Sequence, residues 1–197
     1  PFSQAEEPER DFILAAMDAL QTMGSMAVVV KSGIFADDEN ALWREEFLRK
    51  HTVLGLISLP GDLFYPTAID TTIMIAQAHR PQQKEDGIFM AKIWNDGFRK
   101  SKGKRVECEG SQLSEVLEAF MKFQNGTPLH SPLATVTPAS ECMKEKAEFS
   151  PECYLPQPDL PDEEQRIFCE KVTKSILQTA VCVEDIAEEV IENFPDH

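Results

Sequence analysis

No run of eighteen apolar residues occurs in the 197-residue sequence, so it offers no candidate membrane-spanning helix. Its first twenty residues, PFSQAEEPERDFILAAMDAL, carry acids and a proline where a secretion signal has a basic start and an apolar block, which points to a cytoplasmic setting. Cysteine is sparse and badly paired: Cys108, Cys142, Cys153, Cys169 and Cys182 are odd in number, irregularly spaced and without a CxxC. That excludes a disulfide framework and a zinc knuckle, and the thiols read as reduced bystanders. His51, His79, His130 and His197 are scattered, with no cysteine or carboxylate at ligand spacing, so no metal is expected. Positive charge is scarce as well, 19 Lys and Arg against 34 Asp and Glu, for a net charge of -15. A protein that binds nucleic acid by itself is basic where it meets phosphate, so this balance cuts against the simplest DNA binder. The acid is uneven. From Glu141 to His197 there are 15 acids against 5 bases, leaving 19 against 14 for residues 1 to 140. No internal repeat or low-complexity segment is present.

What is present is a chain that is 42% hydrophobic, enough to build one sizeable core. Residues 9 to 23 place Ile13, Ala16, Met17 and Leu20 at helical spacing ahead of Gly24, a helix stop. Met26 to Val30 (MAVVV) is a short β-branched run of the kind that fills a strand buried on both faces. Asp38 to Lys50 predicts a helix capped by Asp38, with Leu42, Phe47 and Leu48 inward. Val53 to Leu59, Ile69 to Ala78 and Gly87 to Ile93 read as three further strands. Helix, strand, helix and three strands form the closing half of an α/β sheet with an antiparallel end strand. A helix over Ser111 to Gln124 opens with Ser111 ahead of Glu115 and turns Leu113, Val116, Leu117 and Phe120 to the core. Prolines crowd residues 126 to 161, and Asp162 to about Phe194 reads as helix. Three regions follow: residues 1–98 as sheet, 99–161 as basic loop, helix and Pro-rich linker, and 162–197 as an acidic helical tail.

Two places carry chemistry on their residues alone. LPGDLFYPT (Leu59 to Thr67) sets Phe64 and Tyr65 on a loop directly after a buried strand, where α/β folds place ligands. Position alone leaves open whether they face a substrate or cap the core. Arg99, Lys100, Lys102, Lys104 and Arg105 fall within seven positions, which suits either phosphate contact or a solvated hairpin.

The order of these segments resembles the modification subunits of type I restriction systems and related adenine-N6 DNA methyltransferases. In that family an N-P-P-F or N-P-P-Y motif precedes a helix like FILxALxxLxxGG, a strand like AVVVP, an aromatic loop like LPxxLFYxT and, later, a turn like LSPxxYL. Here PFSQ, DFILAAMDALQTMGSMAVVV, LPGDLFYPT and FSPECYL stand in that order over most of residues 1 to 155, with Lys31 where the family often has proline. The resemblance implies the later half of a Rossmann-like methyltransferase sheet followed by a mostly helical C-terminal region. It implies that Pro1 and Phe2 end the catalytic tetrapeptide, with Phe2 stacking on a flipped adenine and Phe64 and Tyr65 forming the opposite wall of the base pocket. It also implies that the glycine-rich cofactor loop and the first sheet strands lie before Pro1. S-adenosylmethionine is then the cofactor of the intact enzyme, and this chain alone is expected to hold none and to be inactive.

Those residue types suit the chemistry. Swinging a base out of a duplex costs roughly a few kcal/mol, and an aromatic face returns on the order of 1 to 3 kcal/mol per stacked base. Attack of the adenine amine on the donor methyl group is then largely a matter of positioning and needs no metal or protein nucleophile. The implied partners are DNA, met by the basic segment, and the specificity and restriction subunits. A sheet whose outermost strand is Met26 to Val30 also exposes an edge that invites a homodimer. Two other readings stay open: a non-catalytic acidic protein derived from such a methylase, which engages a specificity subunit or mimics DNA, and an α/β domain of unrelated function.

Overall fold

The computed structural model describes residues 8–143 and 149–156. Pro1 and Phe2, residues 157–161 of the Pro-rich linker and the expected acidic helical tail lie outside the described residues. The chain divides into two units, Pro1–Pro156 and Gln157–His197, and everything described belongs to the first.

In chain order the elements are helix α1 (Pro8–Asp18), strand β1 (Ser25–Lys31), the single-turn α2 (Gly33–Ala36) and α3 (Ala41–Lys50). Strands β2 (Thr52–Ser58), β3 (Thr71–Gln77) and β4 (Gly87–Lys92) follow, then the hairpin strands β5 (Phe98–Ser101) and β6 (Lys104–Glu107). Helix α4 (Leu113–Gln124), strand β7 (Ala134–Pro138) and the short α5 (Ala139–Cys142) complete them. Five strands form one mixed sheet in the order β1-β3-β2-β4-β7, and β5 and β6 pair separately. Strand β3 lies antiparallel to both β1 and β2, β4 is parallel to β2, and β7 closes the end antiparallel to β4. Strands β1, β2 and β4 therefore all point the same way.

Side-chain alternation divides the core in two, because successive residues of a strand face opposite sides. Along β4, Ile88 and Met90 join one cluster with Leu56, Met74, Ile13, Met17, Phe47 and Leu48, while Phe89 and Ala91 join Ile57, Val116 and Ala119 on the other side. In β2 both Val53 and Leu56 reach the first cluster despite an odd spacing. A register shift between Val53 and Gly55 absorbs the extra residue, as a β-bulge does. Gly55 sits in close quarters at that point: a Cβ there would lie 3.3 Å from the Phe89 Cβ and 3.5 Å from the Phe120 ring. Phe89, wholly buried, meets Phe120 edge-on at 5.2 Å between ring centroids.

Several sequence expectations are corrected. β1 is not buried on both faces: Ala27 and Val29 are exposed, Val30 is buried, and Met26 and Val28 are half-buried. The exposed residues alternate with the covered ones, so one face of the strand packs on the core and the other is open, and at the sheet edge it pairs only with β3 among the described residues. The first helix ends at Asp18, ahead of a turn in which Met23 takes a positive φ of 65°. Asp38 caps no α-helix; Asp38–Asn40 is a 3-10 turn, and Leu42 is 78% exposed. The inward side of α3 is instead Trp43, Arg44, Phe47 and Leu48. Arg44 is almost fully buried and donates to the Ile34 and Asp37 carbonyls at 3.0 and 2.9 Å, binding α3 to the short α2 and the turn after it. In α4 the buried stripe is Val116, Ala119, Phe120 and Phe123, at i, i+3, i+4 and i+7, so Leu113 and Leu117 fall outside it and are exposed. Its N-cap is Gln112 rather than Ser111, with no side-chain cap bond.

His51 ties α1 and α3 to the sheet. Its ring is buried, its Nδ1 accepts the His79 backbone N–H at 3.1 Å, and its Nε2 stands 3.9 Å from the exposed Asp18 carboxylate. Burial lowers its pKa, and Asp18 opposes that only in part, with His79 and Lys50 adding to the lowering. The folded state thus resists a proton that the unfolded chain takes up below about pH 6.5, so stability falls as pH drops through that value. In urea titrations between pH 7.5 and 5.5, the parent chain is expected to lose stability more steeply than His51→Gln. Parallel slopes would remove His51 from the account.

Candidate functional site

Because β1, β2 and β4 run in parallel, their carboxyl ends open on one cavity of about 760 Å³. Ser32 and Asp37 line it after β1, Ser58, Asp62 and Asp70 around the β2–β3 loop, Lys92 and Trp94 at the end of β4, and Glu152 from the 149–156 segment. Backbone bonds fix the rim. Ser32 N–H donates to the Asp70 carbonyl, Leu59 N–H to Thr71 and Ile93 N–H to Ser58, each at 2.9 Å. Gly61 lets the Asp70 carboxylate come close, since a Cβ there would stand 2.7 Å from its Oδ1.

The cavity is acidic, with Lys92 the one cation among the described residues that line it, and Lys92 is bound to Glu152 at 2.9 Å. Burial works to raise the Glu152 carboxyl, but the Lys92 ammonium and neighbouring hydrogen bonds outweigh it and hold the group below the ordinary range. Such a rim accepts hydrogen bonds and repels phosphate, so it suits the amine edge of a neutral ligand. Among the described residues no group of three or more His, Cys, Asp or Glu gathers as a metal site would. Cys108 and Cys142 are free thiols, and burial pushes the Cys142 thiol up to about 11. No helix among the described residues is long and apolar enough to cross a membrane.

Phe64 and Tyr65 flank this cavity without lining it. Their loop is a run of tight turns (Leu63 N–H to Pro60, Tyr65 N–H to Asp62, Thr67 N–H to Phe64) with a cis bond between Tyr65 and Pro66. Phe64 is 50% exposed, whereas the half-buried Tyr65 turns to the β5–β6 hairpin. Lys100 Nζ stands 5.0 Å from the Tyr65 ring centroid, and a Cβ on Gly103 would lie 3.6 Å from the Tyr65 hydroxyl. The sheet end, the aromatic loop and the basic segment thus share one neighbourhood. Phe2, the third member of the expected base pocket, lies outside the described residues, as does Pro1.

The basic segment is a β-hairpin closed by Lys102 and Gly103, both at positive φ, 46° and 82°. Two such residues form the primed turn whose twist matches the strands on either side. Arg99, Lys100, Lys102 and Lys104 are exposed, but Arg105 turns inward. Its guanidinium bonds Asp96 at 2.7 Å, approaches Asp62 at 3.6 Å and lies 5.5 Å from the Phe98 ring centroid. The Asp96 bond, with the nearby Asp62 charge, raises its pKa further against the effect of burial. Arg105 is therefore a tether between hairpin and aromatic loop, and Arg99, Lys100, Lys102 and Lys104 are left as the exposed cations of the segment.

The sequence reading passed over Asn95, Asp96 and Gln112. Asn95 Oδ1 accepts the Gly97 N–H at 2.8 Å and Asp96 Oδ1 the Phe98 N–H at 3.2 Å, a pattern the Asn-Asp-Gly run announces. Gln112, at the mouth of α4, spends its Oε1 on the Trp94 and Asn95 N–H groups at 2.8 and 3.0 Å. No sequence signal marks that long-range contact.

The sequence profile of the N-6 DNA methylase family matches residues 1–159. A type I restriction enzyme MpnII methylase subunit of Mycoplasma pneumoniae is 27% identical over 110 residues, covering 55% of this chain and 20% of that protein. Among solved structures, the methyltransferase subunit of a type I restriction-modification system from Streptococcus thermophilus superposes with a TM-score of 0.60 at 18% identity, over 79% of this chain and 32% of that one. A modification subunit of a putative type I restriction enzyme from Vibrio vulnificus gives 0.53 at 22% identity, over 74% and 31%. At these identities the structural likeness speaks for the fold, that of a methyltransferase sheet. The chain spans a fifth of the curated relative and about a third of these solved ones.

Replacing Arg105 by Met, which keeps its bulk and removes its charge, is expected to release the aromatic loop from the hairpin. Limited proteolysis should then cut faster within residues 61–67 and 99–104 and the Tm should drop by a few degrees; unchanged cleavage would deny the tether.

Proposed function

The chain belongs to the N-6 DNA methylase family, and from that premise we propose that it supplies the later part of the catalytic region of an adenine-N6 DNA methyltransferase in a restriction-modification system. DNA is the substrate, S-adenosylmethionine the methyl donor of the complete enzyme, and specificity and restriction subunits the partners. The cytoplasm is the setting such a reaction on DNA requires. In this reading Phe2, Phe64 and Tyr65 enclose the flipped base, and Arg99, Lys100, Lys102 and Lys104 meet the DNA backbone.

The observation that carries the reading is the tethering of the basic hairpin to the aromatic loop at the carboxyl end of the sheet, through Arg105 with Asp62 and Asp96 and through Lys100 over Tyr65. One bound duplex would then meet cations for its phosphates and aromatic rings for a displaced base in a single approach.

The methyl donor does not fit the described residues. The turn after β1 is the best place to seek a backbone cradle, yet a Cβ on Gly33 would lie 2.5 Å from Asp37 Oδ2, so the chain's own carboxylate fills that space.

Fluorescence anisotropy with labelled duplex DNA tests the hairpin's role. The chain carrying Arg99→Gln, Lys100→Gln, Lys102→Gln and Lys104→Gln is expected to bind more weakly, with a shallower dependence of log K on log salt, by up to about 0.9 per lost phosphate contact. Equal affinity and slope would overturn the reading.

The β1 edge belongs to the same proposal. Its outer side has no partner among the described residues, so it is a place for a second copy to pair. Sedimentation velocity should show association that grows with concentration, and a clean monomer at high concentration would refute pairing.

A further inference from the structure

Trp94 is 63% exposed at the end of β4, where its side chain lines the cavity mouth. Unlike the other exposed apolar side chains, such as Leu42 and Leu117, it belongs to the lining of that cavity. One contact meets the ring, and two more fix the groups around it. Lys92 Nζ sits 3.9 Å from the ring centroid and so occupies one face. Glu152 fixes that ammonium at 2.9 Å, and Gln112 Oε1 accepts the Trp94 backbone N–H at 2.8 Å. One face is thus backed by a cation, and the backbone that carries the ring is held in place.

We propose that Trp94 is a one-sided stacking platform for an unpaired purine base whose amine edge reaches the carboxylates of the adjoining cavity. Indole offers a broad flat surface to a base, and its immobilisation beforehand lowers the ordering that binding requires. A cation on the rear face draws electron density from the ring, which favours an electron-rich purine on the front face. The rim carboxylates of Asp37, Asp62 and Asp70 accept hydrogen bonds from an amino group, and they keep phosphate away. Phosphates are taken instead by the exposed hairpin cations, which begin five residues further on at Arg99. This inference rests on the proposed reading that the carboxyl end of the sheet meets nucleic acid, and it adds a base-contacting residue that the aromatic loop does not include.

The test uses the purified chain and single-stranded eight-residue oligonucleotides of deoxyadenosine and of deoxythymidine. Tryptophan emission is expected to be quenched saturably, and more strongly by the adenine strand. The quench should vanish in Trp94→Phe, where Trp43 remains, although that variant keeps most of the affinity measured by anisotropy. Trp94→Ala should weaken binding of the adenine strand on the order of tenfold, and Lys92→Met should narrow the preference for adenine over thymine. Anisotropy binding by Trp94→Ala within twofold of the parent, or binding by the parent without a quench, overturns the platform and leaves the hairpin reading standing. Absence of any oligonucleotide binding by the parent overturns both.

Discussion

Strand β2 is the reference for everything else in the described unit. Its backbone is bonded on one edge to β3 and on the other to β4, and its side chains are buried on both faces of the sheet. A strand so enclosed has no freedom to slip, because a shift of one residue would exchange its two hydrophobic faces. Ser58, at its carboxyl end, is consequently a fixed point, and the loop that follows begins from a defined position and direction. With β3 inserted antiparallel between β1 and β2, and β4 laid parallel on the far side, three strand ends converge where the cavity opens. The site is a consequence of the sheet order.

On that base, a few charged groups convert a sheet end into an organised surface. Arg105 joins two segments far apart in sequence, the loop bearing Asp62 and the turn bearing Asp96. Partly screened from water, such a bridge does more to fix geometry than to add stability. Lys92 plays a similar part for Trp94 and Glu152. Negative charge lies in the cavity and positive charge on the hairpin, so the two parts of a nucleotide, base and phosphate, find different surroundings a short distance apart.

The buried strands were legible because their residues declare them. VLGLIS and GIFMAK are continuous apolar runs, and both prove to be central strands. The ordered set of segments also carried the resemblance to adenine-N6 methyltransferases, and the family profile covers the same stretch and slightly more, residues 1–159. Less legible was β1, whose MAVVV composition looks the same whether one face or both is covered. The helical pattern of α4 likewise admitted two neighbouring stripes, and packing against the buried Phe89 selected Val116, Ala119, Phe120 and Phe123 over Leu113 and Leu117. In the run from Arg99 to Arg105, nothing in the spacing distinguishes the one cation that turns inward.

By itself, the sequence determined the element types, the α/β class, the family and the two segments worth inspecting, because local periodicity and residue chemistry are properties of short windows. Only the tertiary structure decided that Tyr65 faces Lys100, that Arg105 is a tether, that Gln112 holds the backbone at Trp94, and that four carboxylates share one cavity. Each is a contact between residues distant in the chain, fixed by strand order and register, and a window of sequence holds no information on which strand will lie beside which.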